Sequence, residues 1–264
     1  MSLIETDIFG DTEDLVAQSI ALIKEHEPED GYYVCFSGGK DSIVVLDLVR
    51  KAGVKHDIHM NLTSVDPPEL LKFIRQYYPE CQMHRPEKSM FQLILKNGIP
   101  PTRLARYCCR LLKEGGGIDM DCVVLGVRWE ESAQRKQRKV YEKDRKSKKT
   151  YILSPIINWA SDEIWEYIHA NKLPYPSLYD EGFHRIGCIG CPMGTRQQRY
   201  KEFQRWPQFK KAYYNTLKKL LEVRKANGKD DTHGHWRNIE TLWAWWMEEL
   251  PKDSKNQTQM FDRA

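Results

Sequence analysis

Two groups of residues in this chain have types and spacings that could do chemistry. One is Ser37-Gly38-Gly39-Lys40-Asp41-Ser42, inside "YYVCFSGGKDSIVVLDLVRKAG"; the other is four cysteines, Cys108 and Cys109 in "RYCCRLLKEG" and Cys188 and Cys191 in "IGCIGCPMG". The first group joins a short aromatic and β-branched run, Tyr32 to Phe36, to apolar residues at helical spacing from Ile43 to Val49. A glycine-rich loop opening a helix aims backbone N–H groups and the positive end of the helix dipole at one spot, which suits a phosphate. Lys40 adds a mobile positive charge. The plainer alternative is a βα turn in which Gly38 and Gly39 supply tightness and Asp41 or Ser42 caps the helix. All six residues together favour the phosphate. The loop is too compact for a Walker A motif, which needs four residues between its glycines before Gly-Lys-Ser/Thr.

Four thiolates make a complete set of soft ligands, suited to zinc or to an iron-sulfur cluster. Zinc knuckles usually separate paired cysteines by two residues so that both sulfurs turn inward. Cys108 and Cys109 are adjacent, and their side chains diverge. A cubane offers separate iron corners, so [4Fe-4S] is the preferred occupant. The competing reading makes Cys109 a small buried hydrophobe, with metal chemistry confined to Cys188 and Cys191. Cys35, Cys81 and Cys122 fall in or beside predicted strands and are assigned to core packing.

These residues must be positioned by regular elements. Helical spacing is read at Leu15 to Lys24, Ser42 to Lys51, Pro68 to Tyr78, Ser89 to Asn97 and Asp162 to Asn171; strands are read at Tyr32 to Phe36, Lys55 to Leu62, Cys122 to Val127 and Tyr151 to Leu153. This alternation predicts an α/β fold, a mostly parallel sheet with helices on both faces. Ligands of such sheets sit at the carboxyl ends of the strands, where Ser37 to Ser42 falls. After about Tyr175 come loop residues and then long helical candidates at Arg196 to Ala226 and Ile239 to Leu250. The expected organisation is a nucleotide-binding domain over 1–180, a cysteine-containing loop and helical appendage over 181–250, and a frayed tail over 251–264. No internal repeat is visible.

At 264 residues with 41% hydrophobic and 30% charged residues, the chain can build one sizeable α/β domain and a smaller appendage. No basic-then-apolar signal and no membrane-length apolar run is seen, so a cytoplasmic chain with seven thiols rather than disulfides is expected.

The Ser37 to Ser42 loop resembles the PP-loop of ATP pyrophosphatases, which cleave ATP between its α and β phosphates. Five stretches in order widen the resemblance: the loop itself, "TSVDPPEL" at 63–70, "YCCRLLK" at 107–113, "GVRWEESAQR" at 126–135 and "PIINWASDEIWEYIHANKLPYPSLYDEGFHRIGCIGCP" at 155–192. Together they are similar to the phosphoadenosine phosphosulfate (PAPS) reductase family over roughly residues 30 to 205. In the cluster-bearing branch of that family, a Cys-Cys pair and a Cys-x-x-Cys pair bind [4Fe-4S]; Cys108, Cys109, Cys188 and Cys191 match those ligands. Lys113 matches a family lysine near the cluster. The resemblance also makes Asp66, before two prolines, a candidate near the nucleotide.

Arg128 follows a predicted strand, and its fork of donors could reach a phosphate or sulfate oxygen; the alternative is a surface ion pair with Glu130 or Glu131. Trp129 could stack on a base or simply pack. Assimilatory reductases of the family carry a catalytic cysteine in a Glu-Cys-Gly-Leu-His motif, and this sequence has no cysteine after Cys191. The resemblance therefore implies an adenylating sulfurtransferase, similar to those of DNA phosphorothioation and tRNA thiolation. It would use ATP or a related adenylyl nucleotide, with Mg²⁺ across the phosphates and Lys40, Asp41 and Arg128 as catalytic candidates. Its partners would be a DNA or tRNA acceptor and a cysteine desulfurase or other sulfur-donor protein. Two alternatives are an adenylyl-sulfate or PAPS reductase whose thiol comes from elsewhere, and a nucleotide-sensing scaffold.

Net charge is +4, but positives concentrate: nine Lys or Arg against two acids from Arg135 to Lys149, and ten against two from Arg196 to Lys225. With Tyr141, Trp206, Tyr213 and Tyr214 interleaved, these runs suit a nucleic-acid backbone or an acidic partner. The alternative is solvated surface.

Overall fold

In a computed structural model, the chain is described over residues 3–6, 12–117, 119–145, 147, 149–229 and 234–249. The expected tail, 251–264, lies outside the described residues. A short antiparallel pair, β1 (Ile4–Thr6) and β2 (Thr12–Asp14), leads into α1 (Leu15–Glu25), whose first N–H groups are capped by the Asp14 carboxylate. There follow β3 (Tyr32–Cys35), α2 (Lys40–Ala52), β4 (His56–Asn61), α3 (Pro68–Tyr77), β5 (Gln82–His84), α4 (Met90–Asn97) and α5 (Tyr107–Leu112). The remainder is β6 (Cys122–Val124), β7 (Tyr141–Lys143), β8 (Tyr151–Leu153), α6 (Ser161–Ala170), α7 (Arg196–Arg205), α8 (Pro207–Ala226) and α9 (Ile239–Trp246).

Six strands form one sheet in the order β5-β4-β3-β6-β8-β7, parallel throughout except for β7 at the edge. The chain leaves β3 to build β4 and β5 on one side and β6 and β8 on the other. In sheets of this kind ligands sit at such a reversal, beyond the carboxyl ends of the strands, here β3 and β6, where the loop after β3 begins α2. The expected mostly parallel α/β sheet is what forms.

The chain divides into two compact units. One takes the described residues up to Pro86 together with Arg110–Gly187; the other takes Glu87–Cys109 and the described residues from Cys188 onward. In the first unit α2 is enclosed almost all round: Ile43, Val44, Val45, Leu46, Leu48 and Val49 are buried, with α1 and α6 packed beside it. Burying each such side chain stabilises the unit by about 1.5–3 kcal/mol before chain entropy is counted. Gly53, at φ +71°, ends the helix in a left-handed turn.

In the second unit α8 packs against α4, α7 and α9, around Tyr213, Phe203 and Trp246. The single long helix read at Arg196 to Ala226 is two helices. Pro207 pushes Trp206 out of helical geometry, to φ −127° and ψ 71°, and then starts α8 at its first position. The strand read at Cys122 to Val127 is shorter, ending at Val124, while β5, β7 and α5 carry no periodicity long enough to read. Among the described residues no helix is long and apolar enough to cross a membrane.

Candidate functional site

The Ser37 to Ser42 loop is held by its own hydroxyls. Ser42 Oγ donates to the Gly39 carbonyl at 2.8 Å and accepts from the Ser37 backbone N–H at 3.3 Å, and the two serine hydroxyls meet at 3.2 Å. Gly38 sits at φ +69°, where a Cβ would stand 2.7 Å from Ile74 Cδ1 and 2.8 Å from Leu70 Cδ1. The loop needs glycine there on both counts.

No side chain caps α2; Gly39 occupies the cap position, and the Lys40 N–H donates to the Tyr179 hydroxyl at 2.9 Å. The N–H groups of Asp41 and Ser42 have no hydrogen-bond partner among the described residues. An uncapped helix start with open N–H groups is an anion-binding arrangement. Asp41 and Ser42, the candidate caps, do not cap.

Lys40 Nζ and Arg128 Nε both donate to Asp41 Oδ1, at 3.1 and 2.6 Å. The Lys40 residue is 6% exposed and Arg128 5%. Burial holds the Lys40 ammonium below its ordinary pKa; Asp41 opposes that shift and Arg128 adds to it. Arg128 Nη1 also reaches Glu130 Oε2 at 2.6 Å and the Trp159 carbonyl at 3.1 Å. Arg128 thus pairs with Glu130, but as a buried group joining two loops rather than as the surface pair the alternative reading supposed. Trp129 donates from its backbone to the Ile157 carbonyl and from its ring to the Arg138 carbonyl, leaving the residue 36% exposed. Asp66 is buried and accepts from the Thr63 backbone N–H at 2.7 Å and hydroxyl at 2.8 Å, so its carboxylate closes its own loop.

Two residues of this site escape sequence reasoning. Tyr179 lies 139 residues from the N–H it meets, and only its place in "PYPSLYDEG" sets it apart. Gly126 lets the loop after β6 approach the helix start: a Cβ there would lie 3.1 Å from the Asp41 carbonyl carbon and 3.2 Å from the Ser42 nitrogen.

The four cysteines belong to the second unit. The Cys108 thiol is pushed far above its ordinary pKa by its hydrogen bond with Cys109, by burial, and by the charges of Cys109, Cys188 and Cys191. All four sulfurs are therefore electrostatic neighbours. Cys108 and Cys188 are buried, Cys109 and Cys191 half-buried, and an Arg106 Nη2 lies 3.9 Å from Cys109 Sγ. Among the described residues, no group of three or more His, Cys, Asp or Glu side chains is arranged to hold a metal ion. Cys81 and Cys122 are buried, as assigned, while Cys35 is half-buried.

The Cys188 to Cys191 turn is fixed from α7 and α8. Glu202 accepts the Gly190 N–H at 2.7 Å and the Gln198 amide at 2.9 Å, and the Tyr213 hydroxyl donates to the Ile189 carbonyl at 3.1 Å. Trp206 and Tyr213, read as aromatics interleaved with exposed charge, are core residues. Tyr141 is half-buried in a stack with His26 and Tyr151. The lysines of α8 remain exposed.

The family profile described as "phosphoadenosine phosphosulfate reductase domain" matches residues 31–194. An adenosine 5'-phosphosulfate reductase of Oceanobacillus iheyensis is 29% identical over 187 residues, covering 67% of this chain and 77% of the relative. An uncharacterized protein of Methanocaldococcus jannaschii is 30% identical over 216 residues, 77% of this chain; the match spans less than half, 45%, of that protein's own length. Among solved structures, a PAPS reductase of Candida auris in complex with phosphate superposes with a TM-score of 0.51 at 20% identity, over 66% of this chain and 89% of the other. That likeness is one of fold.

Proposed function

Because the chain belongs to the phosphoadenosine phosphosulfate reductase family of the PP-loop superfamily, we propose that it is an adenylating enzyme that binds ATP or a related adenylyl nucleotide in the Ser37 to Ser42 loop. The observation that carries this reading is the meeting of Lys40 and Arg128 on Asp41 beside the uncapped start of α2. Two cations and open backbone N–H groups suit the charge that builds on a departing pyrophosphate.

In this reading an acceptor oxygen attacks the α-phosphorus, the bond to the β-phosphate oxygen breaks, and pyrophosphate leaves with its electrons. Hydrosulfide, freed from a donor protein's persulfide by a thiol reductant that ends as a disulfide, then displaces AMP: the bond from sulfur to the acceptor forms as the acceptor's bond to the AMP oxygen breaks. Lys40 and Arg128 turn from Asp41 toward the phosphates; Asp41 is the residue that would hold Mg²⁺, which would neutralise charge on the departing pyrophosphate. Ser37, Gly38, Gly39 and Ser42 shape the loop, Trp129 offers an exposed ring to a base, and Asp66 supports the site by holding its own loop. The acceptor is DNA or tRNA, as in the phosphorothioation branch, and a cysteine desulfurase or other sulfur carrier supplies the sulfur. The nucleotide-binding part expected over 1–180 corresponds in this reading to the first unit, which holds Ser37 to Ser42, Asp66, Arg128 and Trp129, while the four cysteines lie in the second.

Cys108, Cys109, Cys188 and Cys191 are the residues that would hold a [4Fe-4S] cluster in this reading. The donor set is all sulfur, and the adjacency of Cys108 and Cys109 suits separate iron corners better than one small ion. Such a cluster would supply a one-electron centre there.

A second reading, reduction of adenylyl sulfate with an external thiol, is favoured by the names of the relatives in Oceanobacillus iheyensis and Bacillus subtilis. One experiment separates the two. Anaerobically purified protein is given Mg-ATP and, separately, adenylyl sulfate with a thiol reductant, each against Lys40→Ala. Pyrophosphate from ATP that depends on Lys40 supports adenylation. Sulfite from adenylyl sulfate, with no pyrophosphate from ATP under any acceptor, overturns it in favour of the reductase.

A further inference from the structure

His59 and His84 stand on neighbouring parallel strands of the first unit, β4 and the edge strand β5. His84 pairs in register with Asn61, two residues beyond His59, so both imidazoles leave the same face of the sheet. His59 Nδ1 and His84 Nε2 are 2.9 Å apart. The ring centres are 5.1 Å apart and the planes 21° from parallel. That separation is close to the greatest that two imidazoles in such contact can have, so each nitrogen points along the line to the other ring. The arrangement is one N–H···N hydrogen bond, in which one ring donates and the other accepts. Two lone pairs aimed at each other share no third point at which both would bind a metal ion.

The pair joins the places from which two loops of the candidate site leave the sheet. The His59 carbonyl accepts the N–H of Phe36, next to Ser37, at 2.8 Å, and the His84 carbonyl accepts that of Leu62, next to Thr63, at 2.9 Å. Tyr33 of β3 stacks on the His59 ring, with centres 3.8 Å apart and planes 3° from parallel. Cys35 lies opposite His59 in register, and burial pushes its thiol, like that of Cys81, up to about 12, so both stay neutral. In the loop after α5, Gly116 lies against Tyr33 and Asn61, while Lys113 and Glu114 are exposed. Burial holds His59 below its ordinary 6.5; the charge of His84 adds to that shift, and the exposed Asp57 carboxylate opposes it.

An imidazolium still donates to a neutral ring, so the contact survives a first proton. A second removes the last acceptor and sets two cations against each other. We propose that His59 and His84 form an acid-sensitive tie at the edge of the sheet, which holds one charge, opens at the second, and on opening loosens the starts of the Ser37 and Thr63 loops. Between the folded pKa of His59 and 6.5, the unfolded chain takes up a proton that the folded chain refuses. Stability from the tie is therefore full above 6.5 and lost as pH falls through that window.

The shared proton is independent of the nucleotide reading above, whereas the effect on ligand binding rests on it. Wild type, His84→Gln and His84→Ala are compared from about pH 8 to about pH 5. Glutamine sets an amide that never titrates where His84 Nε2 lies, and His84 is exposed, so the fold is expected to survive. Imidazole proton resonances, thermal melts and titration with a non-hydrolysable ATP analogue are the readouts. In wild type the two histidines are expected to titrate in steps about one pH unit or more apart. In the Gln variant the His59 step should move up by about half a unit. On acidification wild type should lose at least twice as many degrees of melting temperature as the Gln variant, and its nucleotide affinity should fall at least threefold further. Two independent single-step titrations in wild type overturn the proposal, whatever the variants do, and so does a His59 curve unchanged in both variants. Separate steps with an equal fall in affinity for wild type and the Gln variant overturn the coupling to the loops. No nucleotide bound by wild type at about pH 8 overturns the phosphate-loop reading, and the resonances and melts still decide the tie.

Discussion

Asp41 Oδ1 accepts Arg128 Nε at 2.6 Å, tying the first turn of α2 to the loop after β6 across 87 residues of sequence. Arg128 therefore serves the fold as well as any ligand. Arg128→Ala strips Asp41 of its shorter ion pair and the Trp159 carbonyl of its donor. The Glu130 arm, with its carboxylate side chain about half exposed, counts for little. The expected loss of stability is about 3 kcal/mol, read from urea unfolding. Arg128→Lys is expected to recover less than half, since one ammonium cannot reproduce the fork that meets Asp41 and Trp159 together. Equal stability of all three proteins would show that the Asp41 contact carries no weight.

Gly126→Ala tests whether the two loops need their close approach. The new methyl group meets backbone of Asp41 and Ser42, which cannot swing aside as a side chain could. The start of α2 must shift by a few tenths of an ångström. Stability should fall by about 1–2 kcal/mol, and nucleotide affinity should fall about tenfold because the open N–H groups are displaced. Calorimetric titration with a non-hydrolysable ATP analogue, beside a thermal melt, reads both; unchanged affinity contradicts the proposed place of the phosphates.

Tyr179→Phe removes the hydroxyl that accepts the Lys40 N–H. The nucleotide-free protein should lose about 1 kcal/mol, the net value of one such bond. If the phosphates bind at this helix start, affinity should hold or rise, because a phosphate oxygen then takes the N–H without displacing a hydroxyl. A sharp fall in affinity would instead make the Tyr179 hydroxyl a direct ligand contact.

The parallel sheet was legible because Tyr32 to Phe36 and Ile43 to Val49 have two different periods joined by one glycine-rich loop. The same logic missed β5, β7 and α5, each three to six residues long and lacking a full period of either kind. Lys40 and Asp41 were legible from local spacing, and Arg128 from the strand before it. Tyr179 and Gly126 were not, because one acts on a partner far along the chain and the other through the bulk it lacks. The basic run from Arg196 misled for the opposite reason. Charge density alone cannot separate buried Arg199 from the exposed lysines of α8, and Trp206 and Tyr213 beside them turn inward.

Lys40 gives the site a pH dependence whose sign follows from burial. The folded pKa lies below the ordinary lysine value of 10.5, chiefly through desolvation. In the window between the folded value and 10.5 the unfolded chain keeps a proton that the folded chain has released. Stability from this group therefore rises with pH through that window and is lost as pH falls back through the folded pKa. Nucleotide binding has the opposite slope: the phosphates need the ammonium, so affinity should begin to fall at a lower pH than for a free lysine. Bound phosphate favours the charged form again, so binding in the alkaline range should take up a proton. Titrations in two buffers of different ionisation enthalpy measure that uptake. Lys40→Ala should weaken binding at neutral pH and abolish the uptake, whereas Lys40→Arg, always charged, should abolish the uptake while keeping most of the affinity. Proton uptake that persists in both variants would assign the titration to another group and remove Lys40 from the phosphate site.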